Sequence, residues 1–375
     1  MMTTSNASRL GIYIHIPFCL SKCRYCGFHS SEGSSREERR NYVDRLIEDI
    51  REYGRTYSAG RIVDTVFLGG GTPSILESGE IGRIILALRN AFSVADDAEI
   101  TIESNPKTLD RDKLMEYITV GINRLSIGVQ SLDDSILKTL GRVHSVSDFY
   151  ENYKMARECG FDNINIDLMF AVPGHTHKIW EDTLDKAIAL EPEHISFYSL
   201  QIEEETPFYD EFMAGKFDQI PDETDREMYH LAIAKLKAAG YDHYEISNAC
   251  MPGHECRHNL KYWSLDEYLG IGSGASSYMD GVRFAEAPVL EYHENSRYDD
   301  MSEYVFTGLR RIRGVELADF HRRFGFDLWD AEAFGDRREA LKPYFDAGLL
   351  IESDGRLFLS EMGLDVSNAV MAEFV

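Results

Sequence analysis

Three of the chain's six cysteines, Cys19, Cys23 and Cys26, fall in the stretch HIPFCLSKCRYCGFHS with the spacing C-x3-C-x2-C. Thiolates clustered in this way are soft ligands for zinc or for an iron–sulfur cluster. A structural zinc site takes four ligands, and His15 or His29 could supply the missing one. Three thiolates on one tight loop better suit a [4Fe–4S] cluster with one iron left open. Other chemistry-bearing residues are spaced along the chain in a pattern of their own. Gly69-Gly70-Gly71-Thr72-Pro73, Glu103 and Gln130 each follow or end a short apolar run, and Asp167 lies within one. A carboxylate in an apolar run is costly unless something hydrogen-bonds it.

The elements that must position these residues are strands alternating with helices. GIYIHI (11–16), TVFLGGG (65–71), EITIESN (99–105), RLSIGVQ (124–130), NINIDLMF (163–170) and HISFYSL (194–200) read as strands. After the first, Arg36 to Tyr57 is amphipathic, with Tyr42, Leu46, Ile50 and Tyr53 on one face. Helical patterns also start near Ser78, Asp110, Val146, Ile179 and Thr224. Such alternation predicts a parallel sheet with right-handed crossovers. Six units suit a (β/α)6 partial TIM barrel, whose active site lies at the C-terminal ends of the strands. All the residues singled out above then face one mouth.

The segment FAEAPVLEYHENSRYDD (284–300) is polar, weakly periodic and reads as a linker. It suggests a core over 1–285 and a second domain over 286–375. Beyond the linker come helical patterns and a short hairpin turning at Asp354-Gly355, as in a small helical, winged-helix-like domain.

The formal charge of −25, from 39 basic and 64 acidic residues, argues against a nucleic-acid partner and against an anionic membrane surface. No apolar run is long enough to cross a bilayer, and MMTTSNASRL is too polar for a secretory segment. The expected setting is a reducing cytoplasm, where clustered cysteines signal metal binding or catalysis.

C-x3-C-x2-C after a first strand, followed by a GGGTP loop, resembles the radical S-adenosylmethionine superfamily. In that family the cofactor chelates the open iron, and one electron from the cluster cleaves its sulfonium to give a 5′-deoxyadenosyl radical. The resemblance implies Cys19, Cys23 and Cys26 as cluster ligands. It also implies Gly70, Gly71, Thr72, Glu103, Gln130, Arg142 and Asp167 as contacts of S-adenosylmethionine, with Tyr13 and Tyr25 as aromatic neighbours. Read without the family, Arg142 is as readily a surface salt bridge.

YIHIPFC, FLGGGTPS, IESNP, INRLSIGVQS, IDLMFAVPG and YEISNACMPGHECRHNLKYW together resemble the oxygen-independent coproporphyrinogen III oxidase family. They are most similar to its HemW-type heme-chaperone branch. The oxidases carry a further cysteine where Phe28 stands, and a longer N-terminal extension. HNLKYW (258–263) fits the HNxxYW signature associated with heme in the chaperone branch, which implies His258 as heme ligand with Cys256 second. The C-terminal SNAVMAEFV also resembles that branch. Gly27 departs from a commoner acidic residue. The expected function is therefore heme binding and transfer to an acceptor hemoprotein, such as one of the respiratory chain, with a [4Fe–4S] cluster and S-adenosylmethionine. The alternative is radical decarboxylation of coproporphyrinogen III to protoporphyrinogen IX, and radical methylation or opening of heme is a third reading.

On residue types alone, HNLKYW reads as a loop histidine capped by Asn259 with aromatics closing a core edge, and only the motif match brings the heme reading level with it. Cys250, His254, Cys256 and His258 have no familiar zinc spacing. His175 and His177 read as solvated loop residues. Met228, Leu231, Ala232 and Leu236 read as a core stripe.

Overall fold

Along each expected strand, alternate residues have opposite chemistry, and the tertiary structure gives each set its own face. The structure, a computed structural model, describes residues 7–287 and 291–375. In β1 (Ser8–Ile16) the side chains of Leu10, Ile12, Ile14 and Ile16 are fully buried against helices. The same holds for Val66 and Leu68 in β2 (Arg61–Gly70) and for Ile100 and Ile102 in β3 (Val94–Ser104). It holds again for Leu125 and Ile127 in β4 (Arg124–Gln130), Ile164, Ile166 and Leu168 in β5 (Ile164–Phe170), and Ile195 and Phe197 in β6 (His194–Ser199). The intervening residues are mostly polar and turn to the other face. An apolar face packed on helices and a polar face lining an interior is what a curved parallel sheet demands.

The six strands are parallel neighbours in chain order, joined through α1 (Arg36–Tyr57), α2 (Glu80–Ala91), α3 (Arg111–Thr119), α4 (Asp134–Leu140), α5 (Val146–Cys159) and α6 (His177–Ile188). Local chemistry sets several boundaries. Ser35 with Glu38 and Ser145 with Asp148 form capping boxes that start α1 and α5. Between β6 and α8 (Asp222–Ala238) lies α7 (Pro207–Met213), which sequence periodicity does not reveal because it is only two turns long. Met228, Ala232 and Leu236 of α8 are fully buried, as the stripe predicts.

The sheet continues beyond the six expected strands. The hairpin β7 (Asp242–Glu245) and β8 (Asn248–Cys250) adds antiparallel beside β6. After α9 (Arg257–Trp263), β9 (Tyr268–Ile271) pairs parallel with β1 on the opposite side. Strands β10 (Ser276–Met279), β11 (Val282–Ala285) and β12 (Glu291–Glu294) extend that edge, giving twelve strands in all. The expectation of a linker over 284–300 is corrected here: it contributes strands, and α10 (Arg297–Gly308) starts within it. Residues 288–290 lie outside the described residues. Every residue of β12 is exposed, so the strand carries no apolar alternation by which sequence could reveal it.

The C-terminal part packs α10, α11 (Leu317–Phe324) and α12 (Arg337–Asp346) around buried Tyr304, Phe320, Phe334 and Phe374. A three-stranded sheet completes it: β13 (Val315–Glu316), β14 (Leu350–Ser353) and β15 (Arg356–Leu359). Asp354 and Gly355 both have positive φ, 52° and 72°, and make the expected tight turn. This part meets the barrel where Ile312 N–H donates to the Tyr244 carbonyl (3.0 Å) and the Arg310 guanidinium lies 4.3 Å from the Trp263 ring.

Candidate functional site

The loop after β1 carries the three thiols to the C-terminal mouth of the barrel. Its shape is fixed mainly by Arg24, in the middle of the cysteines. Arg24 N–H donates to the Leu140 carbonyl, the Arg24 carbonyl accepts from Phe208 N–H, and the guanidinium pairs with Glu211. Gly141, at φ 74°, ends α4 and leaves room for this approach: a Cβ there would lie 2.8 Å from Arg24 Cγ. Cys19, Cys23 and Cys26 are each half-buried and free of disulfides.

The donor set favours a cluster over a single ion. Zinc holds sulfurs at about 2.3 Å, so its ligands must converge on one point. Among the described residues no three His, Cys, Asp or Glu side chains do so. His15 is no zinc ligand either, because Nδ1 is 3.0 Å from the Tyr13 hydroxyl and Nε2 is 3.0 Å from the His29 carbonyl. Three thiols on one loop suit a group that offers each one its own iron.

Around the thiols stand the residues expected to hold S-adenosylmethionine. The Thr72 hydroxyl lies 3.6 Å from Cys19 Sγ and accepts from Asn105 Nδ2 (2.7 Å). Arg142 Nη1 donates to Cys23 Sγ (3.2 Å), while Nη2 reaches Asn105 Oδ1 and the Gly128 carbonyl. Arg142 is therefore no surface salt bridge; it ties the cluster loop to the ends of β3 and β4. Gln130 ends β4 with φ 70°, a conformation costing a non-glycine residue about 1–2 kcal/mol, and its Oε1 accepts from the Tyr198 hydroxyl (2.9 Å). Tyr13, in β1, and Tyr25, within the loop between Cys23 and Cys26, are both half-buried. Asn105, absent from the sequence-derived set, joins Thr72 to Arg142; its place directly after β3 is the signal that could have found it.

The three glycines are also packed closely against the protein itself. A Cβ on Gly69 would lie 2.9 Å from Glu103 Oε2, one on Gly70 2.4 Å from the His15 ring, and one on Gly71 2.7 Å from the Phe18 carbonyl. This close approach lets Gly70 N–H donate to Glu103 (3.2 Å).

Glu103 and Asp167 are half-buried on adjoining parts of the interior face. Burial, reinforced by the charge of Asp167, pushes the Glu103 carboxyl up to about 8. Burial also raises Asp167, against the hydrogen bonds from Asn165 and Ser196. Two carboxylates that water solvates poorly make a natural seat for a cation such as a sulfonium or ammonium group. The pH dependence follows from the sign of the Glu103 shift. The folded state resists ionisation until about pH 8, whereas the unfolded chain ionises near 4.5, so stability falls across that interval. Glu103→Gln is expected to match wild type in thermal midpoint near pH 4 and to exceed it increasingly up to pH 8–9. Equal midpoints across the range would refute the shift.

HNLKYW lies at the opposite, N-terminal end of the barrel. It forms α9, capped by Glu99 of β3: Oε2 accepts from Arg257 N–H and Oε1 from His258 N–H, both 3.0 Å. His258 is 1% exposed. Its Nδ1 is 2.8 Å from Thr65 Oγ1 of β2, its Nε2 is 2.8 Å from the Tyr262 hydroxyl, and its ring stacks on Phe67 at 5.4 Å. Burial lowers its pKa to about 3, so the ring is neutral. In this conformation both ring nitrogens have hydrogen-bond partners, so a heme iron could reach His258 only if one of them were released. Cys256 is likewise buried, with Sγ 3.8 Å from Glu99. The aromatics of the motif close the floor of the barrel toward the C-terminal part.

One further expectation changes, for His175, and its companion for His177 holds. His175 is buried, not solvated, and neither ring nitrogen has a hydrogen-bond partner among the described residues. Packing beside Trp180 explains its burial and its pKa near 4. His177 is exposed, 3.0 Å from Glu227.

Comparison with known proteins adds three findings. The radical SAM superfamily pattern matches residues 13–187, and the HemN C-terminal domain pattern matches residues 295–366. The chain is 35% identical to the heme chaperone HemW of Bacillus subtilis over 97% of this chain and 98% of that protein. It is 39% identical to the heme chaperone HemW of Synechocystis over 87% and 85%. Among solved structures, the coproporphyrinogen III oxidase HemN of Escherichia coli, described as a radical SAM enzyme, aligns with a TM-score of 0.85 over 99% of this chain and 91% of that one. At 22% identity that likeness speaks for the fold. No described helix is long and apolar enough to cross a membrane.

Proposed function

From the premise that this chain belongs to the HemW heme-chaperone family, we propose that it binds heme and passes it to an acceptor hemoprotein, one of the respiratory chain being the first to test. The observation that carries this reading is the end-to-end 35% identity with a heme chaperone, which includes both the barrel and the C-terminal part. We place the chain in the cytoplasm, where its free thiols stay reduced.

Cys19, Cys23 and Cys26 would hold the [4Fe–4S] cluster. Thr72, Glu103, Gln130, Arg142 and Asp167 would hold S-adenosylmethionine, with Gly70, Gly71, Tyr13 and Tyr25 lining its place. Bound there, the pair supplies radical chemistry begun by one-electron cleavage of the sulfonium. Arg142 fixes the loop between the thiols and β4, and Glu103 with Asp167 meets positive charge. On the segment that carries the thiols, Phe28 is 71% exposed and Leu20 52% exposed, apolar side chains of the kind that pack on a porphyrin plane. Heme ligation by His258 carries a condition: the ring must give up Tyr262 or Thr65, so α9 must leave the barrel floor.

Anaerobically reconstituted protein tests the reading in two assays. Heme titration should give saturable binding, and S-adenosylmethionine with reductant and coproporphyrinogen III should give no decarboxylated product. Turnover without heme binding would install the oxidase alternative. If His258 is the ligand, amide hydrogen exchange across 257–263 should accelerate on heme binding. Unchanged protection at full heme occupancy would remove His258 from the role.

A further inference from the structure

The polar residues inside the barrel form a directed chain from the floor helix to Asp167. Cys256 N–H donates to the Tyr244 hydroxyl oxygen (3.2 Å). The Tyr244 hydroxyl is 2.8 Å from His194 Nε2, and His194 Nδ1 is 2.6 Å from Asn165 Oδ1. Asn165 Nδ2 donates to Asp167 Oδ1 (2.7 Å) and to Ser126 Oγ (2.8 Å). Ser196 Oγ adds a second donor to Asn165 Oδ1 (3.1 Å).

Only one set of proton positions satisfies every link. Turned the other way, the Asn165 amide would aim its oxygen at a carboxylate, so Nδ2 faces Asp167 and Oδ1 faces His194. His194 must then carry its proton on Nδ1. The ring is 0% exposed and burial holds its pKa well below the usual histidine value, so it is neutral and Nε2 is a bare acceptor. Tyr244 donates to that nitrogen and keeps its oxygen for the Cys256 amide. The chain therefore fixes which face of Asn165 meets Asp167.

We propose that His194, acting through Asn165, is a positioning residue that holds the Asp167 carboxylate in the orientation that receives S-adenosylmethionine. The inference rests on the reading that Asp167 contacts this cofactor. Loss of the Nδ1 donor frees the Asn165 amide to rotate, and an amide oxygen facing Asp167 repels the carboxylate that Nδ2 now holds. The competing reading is that His194 only fills space, as a fully buried ring could. Side-chain geometry separates the two. Asparagine can reproduce the Nδ1 donor of histidine but is smaller, whereas glutamine is closer in size but extends toward the Nε2 side.

The test measures S-adenosylmethionine affinity by anaerobic equilibrium dialysis on cluster-loaded full-length protein. Wild type, Asp167→Asn, His194→Asn and His194→Gln are compared at matched iron content. Partners that orient metal ligands typically contribute ~10–100-fold in metal affinity, and a loss on that scale is expected for the group that orients Asp167. His194→Gln should therefore weaken binding about tenfold or more, while His194→Asn stays within a few-fold of wild type. The reverse order, or equal affinity for all three His194 forms, would overturn the positioning role while Asp167→Asn still weakens binding. Absence of binding by wild type, or wild-type affinity of Asp167→Asn, would overturn the cofactor reading and the positioning role together. A second measurement needs neither a variant nor a cofactor. In histidine-15N-labelled wild type the His194 proton should be found on Nδ1, and a proton on Nε2 would overturn the chain directly.

Discussion

Cys23→Ser is expected to abolish the iron–sulfur absorbance of anaerobically reconstituted protein and to strip most of its iron. With three thiolates for a four-iron cluster there is no spare ligand, and a serine hydroxyl is a harder and far less acidic donor. Cys23 also accepts from Arg142 Nη1 at 3.2 Å, so the substitution unsettles the clamp between the cluster loop and β4. The fold should survive, because the loop is half-buried and is held by Arg24 rather than by the thiols. Cys256→Ser is the contrasting case: that thiol lies at the barrel floor, so the cluster should remain. A full cluster in Cys23→Ser, by iron analysis and absorbance, would refute the ligand assignment.

His258→Ala should destabilise the protein by ~4 kcal/mol or more, independently of heme. Removing a fully buried ring opens a cavity beneath Phe67, a change that costs about 2–5 kcal/mol for side chains of comparable size. It also leaves the Thr65 and Tyr262 hydroxyls without their present partner, at about 1–3 kcal/mol for each group left unsatisfied. Denaturant titration without heme measures the effect, and a midpoint unchanged from wild type would refute the buried role. The consequence for ligand assignment is direct. Weaker heme binding by this variant has to be separated from a loosened floor, which is why hydrogen exchange across α9 is the sharper assay. Acid should act in the same direction. His258, at about 3 when folded and near 6.5 when unfolded, contributes stability that is complete above pH 6.5 and lost as pH falls toward 3. His243 and His175, both near 4, add to that loss.

Strands with strong alternation were legible without coordinates, since one face had to be apolar to meet helices and the other carried isolated polar groups. Asn165 was within reach by the same logic, two residues before Asp167 in an otherwise apolar run, yet nothing marks it without a partner in view. β9 and β12 were not legible: the first is four residues long, and the second is an exposed edge with no apolar face. His175 was misplaced because a Pro-Gly turn signals a loop and says nothing of whether that loop packs beside a tryptophan.

By itself the sequence determined the parallel α/β class, the loop that bears the three thiols and the mouth at which Glu103, Gln130 and Asp167 gather. Spacing and period are local properties, and side-chain parity carries them through any parallel strand. Only the tertiary structure decided that HNLKYW closes the floor of the barrel, at the end opposite the thiols. That placement depends on Glu99, Thr65 and Tyr244 meeting one short helix across the sheet. Contacts between residues some 190 positions apart, such as Thr65 with His258, leave no periodic trace in the chain.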